Sequence, residues 1–161
     1  MLSAALSIMH PPLYNAGLHG MEVLSSWAEQ NDKGMDDALD TWSTFYTNIS
    51  VIANRGTLLH RDPHFRSNWY DIFVSVGEYK DCYLDIPTLG LKLEYSPGTI
   101  VAFSGRLLRH GVNKVDGHRC CFAYYMRDNI HNFLHVPATE WMTVDMVQNA
   151  LVFGPNTSGK W

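Results

Sequence analysis

The stretch Ile72-Phe73-Val74-Ser75-Val76 is nearly all apolar, as an inner strand of a sheet would be. It lies within a candidate strand over residues 69–77, and similar short strands precede and follow it. The candidate strands cover residues 47–53, 57–61, 69–77, 82–86, 90–95, 99–104, 109–113 and 119–126. Turn signals separate them, including Asn54-Arg55-Gly56, Ser96-Pro97-Gly98 and Asp116-Gly117. Eight short strands at this spacing predict an all-β core built as a sandwich or a barrel.

Helical patterns flank this core on both sides. Residues 13–28 carry apolar side chains at helical spacing before a polar run interrupts the pattern. A second short helix is predicted over residues 36–45, with Asp36 or Asp37 near its N-cap. Near the other end of the chain, a helical pattern covers residues 140–152.

The length of 161 residues is that of one domain. Hydrophobic residues make up 46% of the chain and charged residues 17%, which supplies a core and excludes a disordered chain. We therefore predict a single domain over residues 1–161. It consists of a helical flank over 1–45, a β core over 46–130 and a C-terminal flank over 131–161. No apolar run approaches the roughly 18–20 residues that a membrane span requires, so we expect no membrane partner.

The charge of the chain is unevenly distributed. The 12 Lys and Arg against 16 Asp and Glu give a net charge of −4, which is not the profile of a strongly basic nucleic-acid binder. Residues 1–50 hold one basic and six acidic residues, whereas residues 51–130 hold ten basic and eight acidic ones. The positive balance therefore falls on the predicted β core. Both scattered surface charge and a basic rim around an anionic ligand are consistent with it.

The cysteines and the N-terminus indicate a compartment. Three cysteines, of which two are adjacent (Cys120 and Cys121), make a poor disulfide framework and favour a reducing environment. Residues 1–9 lack the basic region of a signal peptide and run into His10-Pro11-Pro12. We expect an intracellular protein.

The segment His60-Arg61-Asp62 ends the second candidate strand. Residues two apart in a strand point to the same face, so His60 and Asp62 can offer one nitrogen and one oxygen to a single metal. The best candidate for a third ligand is His110, at the start of the seventh strand. This set is the two-histidine, one-carboxylate triad of non-haem Fe(II), which leaves coordination positions open. Arg119 opens the eighth strand, and its planar guanidinium suits bidentate capture of a carboxylate.

This order of residues resembles that of the Fe(II)/2-oxoglutarate-dependent dioxygenases. The string His60-Arg61-Asp62-Pro63-His64 is similar to the H-R-D-x-H signature of the TET/JBP branch, which oxidises methylated bases in nucleic acid. Four further segments resemble its fungal members: Trp69-Tyr70-Asp71, Tyr95-Ser96-Pro97-Gly98-Thr99, Ser104-Gly105-Arg106-Leu107-Leu108-Arg109-His110 and Tyr125-Met126-Arg127-Asp128-Asn129. The resemblance covers about residues 45–132 and implies a double-stranded β-helix, or jelly-roll.

The resemblance implies three cofactors and co-substrates: Fe(II), 2-oxoglutarate and O2. Fe(II) would be bound by His60, Asp62 and His110. The keto-acid end of 2-oxoglutarate would chelate the iron, and Arg119 would pair with its far carboxylate. Decarboxylation to succinate and CO2 would then be coupled to hydroxylation of a substrate methyl group. Asn54 can hydrogen-bond 2-oxoglutarate or serve as a plain turn residue, and both interpretations stay open.

The resemblance also implies four substrate-binding residues. Tyr125, six residues after Arg119, occupies the position of a base-stacking aromatic ring. Arg127 stands where the family often has a histidine on the base edge, and Phe65 where it often has a polar group that reads cytosine. His64 either approaches the base or orders the groups around the metal. The departures from the family pattern at Phe65 and Arg127 weaken the expectation of 5-methylcytosine as the base more than they weaken the expectation of oxidation.

We expect this chain to oxidise a methylated nucleobase in DNA, either 5-methylcytosine or N6-methyladenine or both. The products would be hydroxymethyl and further oxidised or demethylated bases. A duplex base would have to be flipped out to reach the iron, and the protein would then be nuclear. One alternative is the same chemistry on a small molecule or protein side chain, which the acidic total charge favours. Another is a non-catalytic β-sandwich binding module with a vestigial metal site. The oligomeric state is not indicated.

Overall fold

The computed structural model describes residues 2–153. They divide into two compact units, of which one is the β region over residues 48–128 and the other comprises the helical residues before and after it. The part of the predicted C-terminal flank beyond residue 153 lies outside the described residues. The expectation of a single domain over 1–161 stays a prediction.

All eight predicted strands are present in the β unit. They are β1 (Asn48–Ala53), β2 (Thr57–His60), β3 (Asp71–Tyr79), β4 (Tyr83–Ile86), β5 (Leu91–Glu94), β6 (Ile100–Phe103), β7 (His110–Val112) and β8 (Gly117–Tyr125). A short 3₁₀ turn, Pro87–Leu89, joins β4 to β5. The strands form two antiparallel four-stranded sheets in the orders β1-β8-β3-β6 and β2-β7-β4-β5. Apart from the β4–β5 hairpin, consecutive strands alternate between the sheets, which is the topology of a double-stranded β-helix. That prediction is confirmed.

The apolar stretch over residues 72–76 forms an inner strand, as predicted. β3 pairs with β8 on one side and with β6 on the other. Ile72 and Ser75 are fully buried, whereas Val76 is partly exposed. The core beside β3 is built from both sheets, with Tyr79 and Phe103 from one sheet and β4 residues from the other. The two sheets therefore pack against each other through this core.

The described residues of the helical unit form five helices. They are α1 (Leu2–Met9), α2 (Pro11–Asn31), α3 (Lys33–Leu39), α4 (Asp128–Phe133) and α5 (Val144–Phe153). The sequence predicted α2 and α5 approximately and did not predict α1 or α4. Buried apolar side chains of this unit come from helices and from the segments that follow α3 and α4: Leu6, Leu13, Ala28, Phe45, Tyr46, Leu134 and Val136. Within residues 2–153, no helix has the length and apolarity needed to cross a membrane.

The start of α3 differs from the prediction. Its N-cap is Asp32, whose Oδ1 accepts a hydrogen bond from the Met35 N–H at 3.0 Å. Asp36 and Asp37, which we expected at the cap, lie inside the helix and form ion pairs with Lys33 at 3.0 and 2.7 Å. The helix ends at Leu39 rather than at residue 45. The polar run after α2 therefore does not separate the helices by a loop. Asp32 within it ends α2 and caps the start of α3.

Candidate metal centre

The structure brings the three predicted metal ligands together. His60 is the last residue of β2 and is paired in register with His110, the first residue of β7. Asp62 Oδ1 lies 3.5 Å from His60 Nε2, and Asp62 Oδ2 lies 3.8 Å from His110 Nε2. One ligand atom from each residue falls within 4.8 Å of the other two. The distances suit three ligands of one ion.

The path of the chain to this arrangement differs from the prediction. Thr57 pairs with Val112 and His60 with His110. Between these two pairs, β2 therefore contains one residue more than β7. The extra residue is a β-bulge, which directs both Thr57 and His60 towards the interior. Because β2 ends at His60, Asp62 is not on the strand. Its position comes instead from a backbone hydrogen bond, from Asp62 N–H to the Gly105 carbonyl at 3.0 Å.

Both histidines are oriented as metal ligands. His60 Nδ1 lies 2.8 Å from the Leu58 carbonyl oxygen, and His110 Nδ1 lies 2.9 Å from that of Leu108. A carbonyl only accepts hydrogen bonds, so Nδ1 carries the proton and the Nε2 lone pair faces Asp62. Burial lowers the pKa of His110, which keeps that imidazole neutral. Two imidazole nitrogens and one carboxylate are a ligand set that fits Fe(II).

One side of the triad is open. The side chain of His110 is 6% exposed, that of Asp62 21% and that of His60 39%. The ring centroids of the two histidines are 4.4 Å apart, so both rings contribute to one wall. An ion held here would keep free coordination positions on the side that the three side chains leave uncovered.

Two loops are joined beside the triad. The loop after β2 and the loop between β6 and β7 share the hydrogen bond from Asp62 to Gly105. Arg61 Nε donates to the Leu107 carbonyl at 3.0 Å. Arg106 donates to a backbone carbonyl of the loop after β2. Both arginine side chains therefore fasten the loops together beside the metal site.

Arg119 is buried in β8, with 3% of its surface exposed. Its Nε donates to Ser75 Oγ at 3.0 Å, and its guanidinium carbon lies 5.1 Å from the centroid of the Tyr95 ring. No acidic side chain in the described part of the chain forms an ion pair with it. A buried cation of this kind requires a compensating negative charge. A carboxylate ligand would supply it.

A neutral polar network surrounds the Arg119 side chain. The Tyr79 hydroxyl lies 2.7 Å from Ser75 Oγ and 2.8 Å from the Tyr95 carbonyl oxygen. Burial raises the pKa of the Tyr95 hydroxyl and that of the Cys121 thiol, so both stay uncharged. These residues were not predicted from the sequence. The available signal was Ser75, a polar residue inside an otherwise apolar strand.

A cavity of about 50 Å³ connects the two halves of the site. It is lined by both histidines of the triad and by Arg119, together with apolar side chains such as Phe73 and Phe103. The two histidine ligands and the Arg119 side chain therefore face the same cavity. A molecule with a metal-chelating group at one end and a carboxylate at the other matches these two features.

Asn54 is tied to the backbone of Arg119. Its carboxamide oxygen accepts a hydrogen bond from the Arg119 N–H at 2.9 Å, and its own N–H donates to the Arg119 carbonyl at 2.8 Å. Asn54 has a φ of 52°, in the left-handed region that asparagine tolerates. These contacts are those of a turn residue that fixes the start of β8. A contact with 2-oxoglutarate stays a prediction.

Three of the four predicted substrate residues form a cluster. The rings of Phe65 and Tyr125 have centroids 4.9 Å apart and are tilted by 43°. The guanidinium carbon of Arg127 lies 5.5 Å from the Tyr125 ring centroid. His64, by contrast, is exposed and has no hydrogen bond, ion pair or ring contact within the described chain.

The Tyr125 hydroxyl is also held in place, because Ser50 Oγ lies 3.1 Å from it and Arg127 donates to it at 3.5 Å. Burial raises the pKa of Tyr125, but the hydrogen bonds with Ser50 and Arg127 outweigh burial, so the pKa is lowered overall. The charge of Asp62 acts on this pKa in the opposite direction and raises it. We call Phe65, Tyr125 and Arg127 the aromatic rim.

Comparison with known proteins identifies a family and related solved structures. Residues 1–128 match the TET/JBP model, described as the oxygenase domain of the 2OGFeDO superfamily. A solved structure of NgTET1 in complex with 5mC DNA is similar with a TM-score of 0.48 and 14% sequence identity. The similarity covers 75% of this chain and 50% of that one, so the present chain spans about half of its length. No curated protein matches.

Proposed function

Since the chain belongs to the TET/JBP family of 2-oxoglutarate- and Fe(II)-dependent dioxygenases, we propose that it oxidises a methylated nucleobase in DNA. The family uses Fe(II), 2-oxoglutarate and O2. The substrate in this proposal is 5-methylcytosine, N6-methyladenine or both. The products are hydroxymethyl and further oxidised or demethylated bases.

One observation carries the proposal: the two histidines of the triad and Arg119, whose guanidinium has no acidic partner among the described residues, line the same cavity. Surface residues that resemble a motif by chance would not share an interior with a buried, uncompensated cation. The same observation weighs against a vestigial site, because an isolated buried charge is destabilising. We infer that the cavity is kept for a ligand with two anionic ends, as 2-oxoglutarate has.

The protein residues have separate roles in the proposed reaction. His60, Asp62 and His110 hold Fe(II), which, when bound, supplies the activation of O2 for oxidation of a methyl group. Arg119 binds the far carboxylate of 2-oxoglutarate and so orients its keto-acid end towards the triad. Apolar side chains of the cavity exclude water from the space between these two ends.

The aromatic rim is the proposed base-binding surface. Tyr125 is half-buried and fixed by its hydroxyl, so its ring presents an ordered face for stacking at low entropic cost. Arg127 carries only donors, which suit the ring nitrogens and carbonyl oxygens of a base or a phosphate oxygen. A base reaches this position only when it is flipped out of the duplex. With DNA as substrate, we propose a nuclear location.

The test is mass spectrometry of nucleosides after incubation with Fe(II), 2-oxoglutarate and O2. Separate duplexes contain 5-methylcytosine or N6-methyladenine, and succinate is measured in parallel. We expect an oxidised nucleoside and one succinate for each round of oxidation, so a further oxidised base accompanies more succinate than a hydroxymethyl base does. His60→Ala and Asp62→Ala should abolish both products, because each removes a metal ligand. His118→Ala is the matched control, since His118 is exposed in β8 and is not a member of the triad.

The outcome also separates the alternatives. Succinate that depends on the triad, without any oxidised nucleoside, would contradict the DNA substrate and favour a small molecule or a protein side chain. The net charge of −4 of the whole chain is the observation that favours that alternative. Absence of Fe(II) binding by the wild-type chain would contradict the enzymatic proposal as a whole.

A further inference from the structure

We propose that Asp71 is a positioning residue of the metal centre, which holds the Asp62 ligand in place through Gly105. No family motif quoted above assigns this role to Asp71. The inference rests on the metal-binding part of the proposed function. It concerns a contact that fixes a metal ligand rather than a further ligand.

Asp71 is a buried carboxyl group in an unusual setting. It is 3% exposed and begins β3, opposite Phe103 at the end of β6. Its Oδ2 accepts a hydrogen bond from the Gly105 N–H at 3.3 Å. Across residues 2–153, no basic side chain pairs with it. Burial of a carboxyl group without a cation is costly, so the group must serve the contact that it makes.

Gly105 connects this carboxyl group to the metal ligand. Its N–H donates to Asp71, and its carbonyl accepts from the Asp62 N–H at 3.0 Å. A Cβ atom on residue 105 would lie 2.2 Å from Asp62 Oδ2 and 3.0 Å from Asp71 Oδ2. Both carboxyl groups therefore converge on the Cα of Gly105. Only glycine leaves room for this approach.

The same turn reaches a second ligand. The Ser104 carbonyl accepts hydrogen bonds from the N–H groups of Leu107 and Leu108 at 3.1 and 3.0 Å, which closes a tight turn after β6. The Leu108 carbonyl then bonds Nδ1 of His110. Asp71 therefore anchors, at Gly105, a turn that is hydrogen-bonded to two of the three ligands. The turn accepts one hydrogen bond from the backbone N–H of Asp62 and one from the ring of His110.

The physical expectation concerns affinity for the metal. Groups that orient ligands usually contribute about 10–100-fold to metal affinity. Without the Asp71 contact, the Gly105 peptide loses its partner, and the carboxylate of Asp62 loses its fixed distance from the two Nε2 atoms. The cost should appear as weaker metal binding by a protein that is still folded.

The experiment measures Co(II) binding to the full chain by calorimetry and by visible absorption, with Co(II) in place of air-sensitive Fe(II). We expect Asp71→Ala to weaken Co(II) binding by about 10–100-fold and to change the absorption spectrum. Asp71→Asn should stay within about threefold of wild type, because the amide oxygen still accepts from Gly105 N–H. Asp85→Ala, in β4, is the matched control.

Gly105→Ala tests the same contact from its other side. The added methyl group occupies the space next to Asp62 Oδ2, so we expect a comparable loss of Co(II) affinity and a comparable spectral change. Gly20→Ala adds the same methyl group within α2, where the nearest atoms lie 3.9 Å away. It should leave Co(II) binding unchanged.

Melting of the metal-free proteins separates positioning from general stability. If Asp71→Ala lowers only the melting temperature and binds Co(II) as tightly as wild type, the proposal is overturned. It is also overturned if Asp71→Asn binds as weakly as Asp71→Ala. Should Asp71→Ala fail to fold, wild-type affinity in Gly105→Ala would overturn it. Absence of Co(II) and Fe(II) binding by wild type would instead contradict the proposed function.

Discussion

The surroundings of Arg119 and the aromatic rim are built in opposite ways. Arg119 is 3% exposed, is bonded to Ser75 and packs on Tyr95 inside the β core. At the rim, Arg127 is exposed and contacts mainly Tyr125. The interior group is fixed by the packing of both sheets, whereas the rim group is fixed by one neighbour. Arg127 can therefore change without disturbing the fold.

This contrast assigns the two halves of the proposed reaction to different regions. Binding of a small dicarboxylate needs a rigid, buried cation near the metal, and the interior provides it. Choice among methylated bases needs a few exposed side chains, and the rim provides them. Substitutions in the interior should consequently alter the co-substrate requirement, and substitutions at the rim should alter the substrate requirement.

The largest effect is expected at Arg119. Arg119→Met keeps the apolar stem against Tyr95 and removes the charge. Loss of one partner of a buried charge pair costs about 2–5 kcal/mol, so we expect the concentration of 2-oxoglutarate for half-maximal succinate release to rise at least about 30-fold. The Km for DNA should change little. Arg109→Met, at an exposed position, is the control. An unchanged 2-oxoglutarate requirement would move the carboxylate-binding role to another residue.

A smaller effect is expected at Tyr125. Stacking of a base on an aromatic side chain contributes about 1–3 kcal/mol, so Tyr125→Ala should raise the Km for the methylated duplex by roughly 5–160-fold. Tyr125→Phe keeps the ring and should stay near wild type. Steady-state kinetics with varied duplex and saturating 2-oxoglutarate measures both. A rise in the 2-oxoglutarate requirement instead would show that the rim and the interior are not separate.

The fold was largely predictable, because short apolar runs bounded by Gly, Pro and Asn turns are local signals. Each of the eight strands lies within a few residues of its prediction. The helical regions were less predictable. Asp32 caps α3 directly after α2 ends, so one acidic residue serves two helices where the pattern indicated a break. Such caps depend on backbone geometry that composition does not show.

The residues of the candidate site were predictable from the sequence, but the backbone contacts that position them were not. Strand alternation suggested a shared face for His60 and Asp62, but a bulge in β2 directs His60 inward and the Gly105 carbonyl places Asp62. Gly105 and Asp71 lie 34 residues apart, and only the pairing of β3 with β6 brings them together. Contacts of that kind belong to tertiary structure. No spacing in the sequence indicates them.

The smallest effect is expected at Arg127. Its guanidinium is exposed, and cation–π contacts at such sites contribute about 0.5–1 kcal/mol, so Arg127→Gln should raise the Km for duplex by roughly two- to fivefold. If Arg127 contacts a phosphate, the slope of log affinity against log salt should fall by about one.

A spectroscopic readout tests the same residue without substrate. Arg127 lowers the pKa of Tyr125 by its hydrogen bond and its charge, so Arg127→Gln should shift that pKa upwards in an ultraviolet pH titration. Arg55→Gln, also exposed, should leave the titration unchanged. A loss of duplex turnover in Arg127→Gln larger than that in Tyr125→Ala would contradict the contrast drawn above. The rim would then be organised around a charge rather than around a stacking ring.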